Sequence, residues 1–316
     1  MADASTGRTD KIWRDGELVK WEDATLHVMS HVVHYGSSVF EGIRCYDTPN
    51  GGAVFRLREH IRRLLDSARI YRMPLRYTLD ELVQATLDTV AANDLRECYL
   101  RPLVLRTGQQ MGFYPVGVPV ECFIIAYKWP TYLGAEALEK GVDVCVSSWR
   151  RAAPDTFPTM AKAGGNYLNS QLSKLEAKQN HYAEGIMLDS FGFVAEGSGE
   201  NLFLVRDGVF YTAGISSGIL NGITRDTVMT IARDLGYEVR EQQIPREMLY
   251  IADELFFTGT AAELTPIRSV DQVEIGSGKP GEITRKIQSE FLGIAKGRIA
   301  DRFDWLTPVP SAALSR

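Results

Sequence analysis

Ala161-Lys162-Ala163-Gly164-Gly165-Asn166-Tyr167 sets one lysine among residues that carry almost no side chain. A planar ligand can approach such a lysine closely, and burial that lowers its pKa makes it a nucleophile. The same residues also suit a solvated loop whose glycines turn the chain, and the spacing alone does not choose between the two. Downstream, Leu168, Leu172 and Leu175 fall at helical spacing, so a helix follows the lysine. Upstream lie a loop with Pro154 and Pro158 and a strand over 142–148.

Two later segments share this character. Val194-Ala195-Glu196-Gly197-Ser198-Gly199-Glu200-Asn201 places two carboxylates and two glycines after a strand. It reads either as a loop that presents an acid and a close backbone to a ligand, or as an acid capping a turn. Gly218-Ile219-Leu220-Asn221-Gly222-Ile223-Thr224-Arg225 is a glycine-bounded loop opening a helix, where free N–H groups and the helix dipole suit a phosphate. It is not a Walker A sequence, and Gly197-Ser198-Gly199 lacks the rest of a dinucleotide fingerprint.

Further out, Ile12-Trp13-Arg14 and Glu17-Leu18-Val19 flank Asp15-Gly16, a two-residue hairpin signal. Val54-Phe55 ends a strand and leads into a helix with Ile61, Leu64, Leu65 and Ala68 on one face. Thr78 and Glu81 form a capping box for a second helix, which turns Leu82, Leu87 and Val90 inward. Apolar strands over 98–105 and 122–129 enclose a long glycine- and proline-bearing loop, 106–120, whose length favours binding. Asp207-Gly208 joins strands over 201–206 and 209–212, and Phe256-Phe257 reads as a core strand. The helix from Gly222 ends at Gly236, and one from Gly281 lines up Ile283, Ile287, Phe291 and Ile294. Strands and helices do not alternate regularly, so the class is α+β. A small N-terminal domain over 1–132, an interdomain loop 133–141 and a larger domain 142–316 are expected.

Hydrophobic residues make up 45% and charged residues 24%, enough apolar surface for a sizeable core. A net charge of -5 offers no field for nucleic acid or an anionic membrane. Cys45, Cys98, Cys122 and Cys145 are far apart and without C-x-x-C spacing, so they read as reduced, buried thiols. His27, His31 and His34 lack an acidic partner at zincin spacing, which favours a structural role over metal. No G-x-S-x-G elbow, signal-like apolar stretch or membrane-length apolar run occurs, and the chain reads as soluble and cytoplasmic.

The order of the motifs says more than any one of them. Tyr35-Gly36-Ser37-Ser38-Val39-Phe40-Glu41-Gly42-Ile43-Arg44, the Lys162 and Glu196 segments, Gly222-Ile223-Thr224-Arg225-Asp226 and Gly259-Thr260-Ala261-Ala262-Glu263 together resemble the fold-type IV pyridoxal-phosphate enzymes. Within them the chain resembles the branched-chain amino acid aminotransferases more than D-amino acid aminotransferases, (R)-selective amine transaminases or aminodeoxychorismate lyases. The resemblance implies two domains with pyridoxal 5′-phosphate between them. It makes Lys162 the residue that holds the cofactor covalently and carries the substrate α-proton. Tyr167 meets the phenolic oxygen and Glu196 the pyridine nitrogen; Leu220 packs on the ring; Arg63, Ile223, Thr224 and Thr260 anchor the phosphate. Tyr35, Phe40, Tyr132 and Tyr167 line an apolar substrate pocket. Tyr99 and Arg101, with the amides of Thr260 and Ala261, receive a carboxylate. Phe113, where relatives often carry a smaller aliphatic residue, and Tyr132 come from the second subunit of a family dimer. Substrates are small amino and keto acids, and no metal is implied.

Overall fold

The computed structural model describes residues 7–129 and 132–310. Its packing forms two compact units. One holds the chain up to Trp129, Ala161–Gly165 and the chain from Ile294 onward; the other holds the chain between Trp129 and Ala161, and Asn166–Gly293. The sequence reading kept the lysine segment and the C-terminal residues in the larger domain. They join the first unit because Val39 bridges Ala163, Arg56 N–H donates to the Trp305 carbonyl, and Leu306–Pro308 adds a strand to its sheet.

The first unit is built on an eight-stranded antiparallel sheet. Strands β1 (Lys11–Arg14) and β2 (Glu17–Lys20) form the expected hairpin, with Asp15 at φ 51° and Gly16 at φ 107°. Both values are positive, as a primed turn requires. A short helix α1 (His31–Tyr35) precedes β3 (Ser38–Phe40), β4 (Ile43–Thr48) and β5 (Gly51–Phe55). Helix α2 (Leu57–Ile70) buries Ile61, Leu64 and Ala68, while Leu65 packs at the margin. Helix α3 (Leu79–Ala92) opens with the complete Thr78/Glu81 capping box.

The central strand is β6 (Cys98–Arg106), paired from Tyr99 to Arg106 with β7 (Val120–Tyr127). Its other edge is shared: β4 covers Cys98 to Leu100 and β3 covers Leu103 to Leu105. Pro102 lies at the break. A residue's N–H and C=O leave a strand on the same side, and the Pro102 carbonyl accepts from Glu41 N at 2.8 Å. Its missing N–H therefore faces the one place where the ladder needs none.

In the second unit, α4 (Ala135–Lys140) occupies most of the stretch expected to be a loop; Gly134 and Gly141 bound it as N-cap and C-cap. There follow β8 (Val142–Val146), α5 (Tyr167–Gln179), β9 (Glu184–Leu188), β10 (Val194–Gly197), β11 (Asn201–Arg206) and β12 (Val209–Thr212). Then come α6 (Ile223–Asp234), β13 (Val239–Glu241), β14 (Glu254–Gly259), β15 (Glu263–Val270), β16 (Val273–Glu274) and α7 (Glu282–Ala295). The strands form a nine-stranded mixed sheet, parallel at β8–β9, β8–β15 and β12–β13. Gly236 ends α6 at φ 84°: its N–H bonds Arg233 O and that of Tyr237 bonds Ala232 O, a Schellman close. All four cysteines are free and buried.

At the middle of this sheet Phe256 stacks on Phe203 at 5.2 Å and meets the edge of Phe210 at 6.3 Å. All three are fully buried. We expect Phe256→Ala to cost about 3–5 kcal/mol of folding stability, read by denaturant unfolding. A loss near zero would show that the aromatic layer repacks.

Candidate active site

In the first unit the lysine is fixed through its backbone. Its carbonyl accepts from Phe40 N at 2.9 Å, and its N–H donates to Ser67 Oγ at 3.0 Å. Ser67 lies four residues beyond Arg63 on α2, so one helix face serves both the lysine and the guanidinium. Gly164 is required for close approach rather than for a turn: a Cβ there would collide with Ser38 Oγ. The Lys162 ammonium stands 5.0 Å from the centre of the Phe40 ring, and the Arg101 guanidinium stands 4.6 Å from it and 5.6 Å from Tyr99. Among the described residues the buried Arg101 Nε has no hydrogen-bond partner. Amine, apolar ring and guanidinium are thus gathered in one cluster.

Tyr35 is held at the end of α1, its hydroxyl accepting from Gly112 N at 3.1 Å. The Phe113 ring lies 5.4 Å from Tyr35 yet is 92% exposed, so it is not built into the wall of a pocket within this chain. The nearby histidines are structural. His31 joins Ser37 Oγ at 2.7 Å and Gly112 O at 3.0 Å, His34 meets Val28 O, and His27 accepts from Met29 N.

In the second unit the centre is Glu196, on β10 and buried. Its Oε1 is paired with Arg151 at 3.0 Å; its Oε2 accepts from Asn201 Nδ2 at 2.9 Å and from Leu220 N at 3.0 Å. Asn201 also donates to the Leu220 carbonyl at 3.0 Å, so it clamps that residue together with the carboxylate. Gly222 is the N-cap of α6 and offers no side chain to its first N–H groups, those of Ile223 and Thr224. A Cβ at Gly222 would strike Asn201 Oδ1, so the bare cap and the clamp depend on one another. Thr260 and Ala261 form the turn between β14 and β15, and Tyr167 is the first residue of α5. Tyr132 is 37% exposed, with the Lys174 ammonium 4.9 Å from its ring centre.

A family profile described as amino-transferase class IV matches residues 38–270. The chain belongs to the class IV aminotransferases. Its likeness to individual members runs nearly end to end. It is 53% identical over 308 residues to the branched-chain-amino-acid aminotransferase of Salmonella typhimurium, covering 97% of this chain and 100% of that one. The crystal structure of the Escherichia coli branched-chain amino acid aminotransferase superposes with a TM-score of 0.93 at 52% identity, over 96% of this chain and 100% of that one. The branched-chain amino acid aminotransferase from Thermobaculum terrenum, solved in its PLP-bound holo form, gives a TM-score of 0.89 at 40% identity, over 96% and 99%.

Three residues of this class IV aminotransferase escaped the sequence reading. Asn201 lies within the Glu196 motif, but its two hydrogen bonds, to Glu196 and to the Leu220 carbonyl, are not foreseeable from spacing. Ser67 lies on an α2 face with Arg63 but belongs to no motif. Arg151, partner of the buried acid, carried no local signal at all.

Four residues after Glu196, the buried Glu200 carboxyl is pushed up to about 8, first by burial and then by the Glu184 carboxylate. Lys174, the Gly199 N–H and Glu196 are the other groups acting on it, the first two in the opposite sense. The native state therefore keeps a proton that an unfolded chain releases near the ordinary glutamate value of 4.5. Stability from this group is complete below that value and is lost as pH rises through the folded value. Across about pH 5 to 9, Glu200→Gln should gain stability relative to the parent as pH increases, read as the difference between paired unfolding curves. A difference that is flat with pH would show that Glu200 is ionised in the native protein.

Proposed function

We infer that this chain transfers the amino group of L-leucine, L-isoleucine or L-valine to 2-oxoglutarate, giving the branched-chain 2-oxo acids and L-glutamate. The observation that carries this is the cluster of Lys162, Phe40 and Arg101, which supplies an amine, an apolar surface and a cation. An amino acid with an aliphatic side chain needs the second and third, and transamination needs the first.

The cofactor is pyridoxal 5′-phosphate, and the residues present fit it: a lysine, a buried carboxylate held in place by Arg151, Asn201 and the Leu220 N–H, a guanidinium and a helix start without a side-chain cap. When bound, it supplies the electron sink that stabilises negative charge at the substrate α-carbon. Lys162 Nζ is the catalytic residue, holding the cofactor and then moving the α-proton. Glu196 would pair with the pyridine nitrogen and keep a proton there, and Tyr167 would donate to the phenolic oxygen. Leu220 would pack against the ring. Arg63, the N–H groups of Ile223 and Thr224, and Thr260 hold the phosphate.

Tyr35, Phe40, Tyr132 and Tyr167 receive the branched side chain, whose burial is worth about 1.5–3 kcal/mol. Tyr99, Arg101 and the amides of Thr260 and Ala261 receive the carboxylate. Two exposed features support self-association through which Phe113 and Tyr132 serve a second copy. Phe113 stands out of its own unit, and Leu168 and Leu175 on α5 are 65% and 57% exposed. Among the described residues no helix is long and apolar enough to cross a membrane. A cytoplasmic location, small-molecule partners and no nucleic-acid partner complete the reading.

The test is the visible spectrum of the purified protein, followed through addition of L-leucine and then 2-oxoglutarate. We expect a cofactor band that leucine converts and the keto acid restores, absent in Lys162→Ala. A band indifferent to leucine would sink the substrate assignment, and no band with added cofactor would sink the whole reading.

A further inference from the structure

The most deeply buried carboxylate of the first unit has no role in the chemistry described so far. Glu41 is fully buried in the turn between β3 and β4, directly after Phe40, whose N–H holds the Lys162 carbonyl. Its two oxygens take one edge of the Arg63 guanidinium: Nε donates to Oε1 at 2.6 Å and Nη2 to Oε2 at 2.9 Å. His60, one turn earlier on α2, adds a third bond from Nδ1 to Oε2 at 2.7 Å. Burial alone would raise the Glu41 carboxyl, but Arg63 and then His60 overcome it and hold it well below the usual carboxylate range. His60 is itself lowered, first by burial, so it donates as neutral imidazole and leaves the charge of Glu41 to Arg63.

A two-point grip on a planar guanidinium fixes the plane and direction of its remaining edge. The backbone of Glu41 is fixed in turn, because its N–H bonds the Pro102 carbonyl in the break of the sheet. We propose that Glu41 is a positioning residue for the cofactor phosphate: it aims Arg63 from a site built into the β6 gap, with His60 as its second support. This rests on the reading of Arg63 as a phosphate anchor. It adds that the anchor's direction is set by a carboxylate which itself touches neither cofactor nor substrate.

The experiment compares two aldehydes that differ only in the group at issue. Pyridoxal 5′-phosphate and pyridoxal are titrated into the cofactor-stripped full chain, parent and variants, with the visible band as readout. Glu41→Gln should weaken the phosphorylated aldehyde about tenfold or more and leave pyridoxal within about twofold of the parent. In the double variant with Arg63→Gln, the loss should be no greater than with Arg63→Gln alone. Equal loss for both aldehydes, or loss for neither, overturns the proposal. Arg63→Gln without effect on either aldehyde would overturn the anchor reading itself, a separate and recognisable outcome. Should Glu41→Gln fail to fold, Glu41→Asp decides by the same ratio: a phosphate-selective loss supports the proposal and an unchanged ratio overturns it.

Discussion

A carboxylate taken out of water has to find a partner for each oxygen, and the second unit is organised around meeting that demand at Glu196. The partners come from three separated stretches: Arg151 from the loop after β8, Asn201 from β11 and the Leu220 N–H from the segment before α6. Since Asn201 also holds the Leu220 carbonyl, the backbone there is fixed on both sides, and the first turn of α6 follows from it. Arg225, fully buried in that turn, adds a second clamp through Thr212 Oγ1, the Ala213 carbonyl and Glu241. The helix start and the acid therefore cannot shift independently. In the proposed use, one would address the phosphate and the other the ring nitrogen, and a rigid ligand needs both held in one frame.

The first unit meets the same demand in another way. There the break between β3 and β4 along β6 is the constraint, and Pro102, Glu41 and Phe40 each exploit it. Pro102 fits because no donor is needed, Glu41 enters the core because the ladder leaves room, and Phe40 turns its N–H to the lysine segment. Burying Glu41 would be costly without Arg63 and His60, and their convergence on it draws α2 against the turn. Ser67 then lies where the Lys162 N–H can reach it. One interruption of a sheet thus brings lysine and guanidinium into a common frame.

What the sequence made legible was mostly local. Asp15-Gly16, the Thr78/Glu81 box and Gly236 declare themselves because each depends on dihedral angles or bonds within a few residues. The long loop 106–120 and the core strand at Phe256-Phe257 were likewise readable from composition. The site segments read ambiguously by themselves, since a lysine among glycines and an acid near a turn have ordinary explanations; their order along the chain pointed to the family. Arg151 and Ser67 were not legible because their partners are fixed only by the folded sheet. The helix at Ala135–Lys140 was missed because six residues are too short to show a period.

The leucines of α5 expose a limit of a different kind. Leu168, Leu172 and Leu175 form one stripe, as the spacing implies, but that stripe faces outward. The helix packs through Ser170, Ser173 and Ala177, and it approaches β9 so closely that Ser173 Oγ lies where a side chain at Gly185 would begin. Small residues permit that approach and leucines would prevent it, so the large side chains are displaced to the opposite face. Periodicity identifies a stripe without saying whether its own chain or another covers it. Full burial of a leucine is worth about 1.5–3 kcal/mol, and these three, about half exposed, forgo roughly half of that each. A second copy that covers them would recover this energy, so the stripe is better understood as part of the proposed assembly than as a defect of the fold.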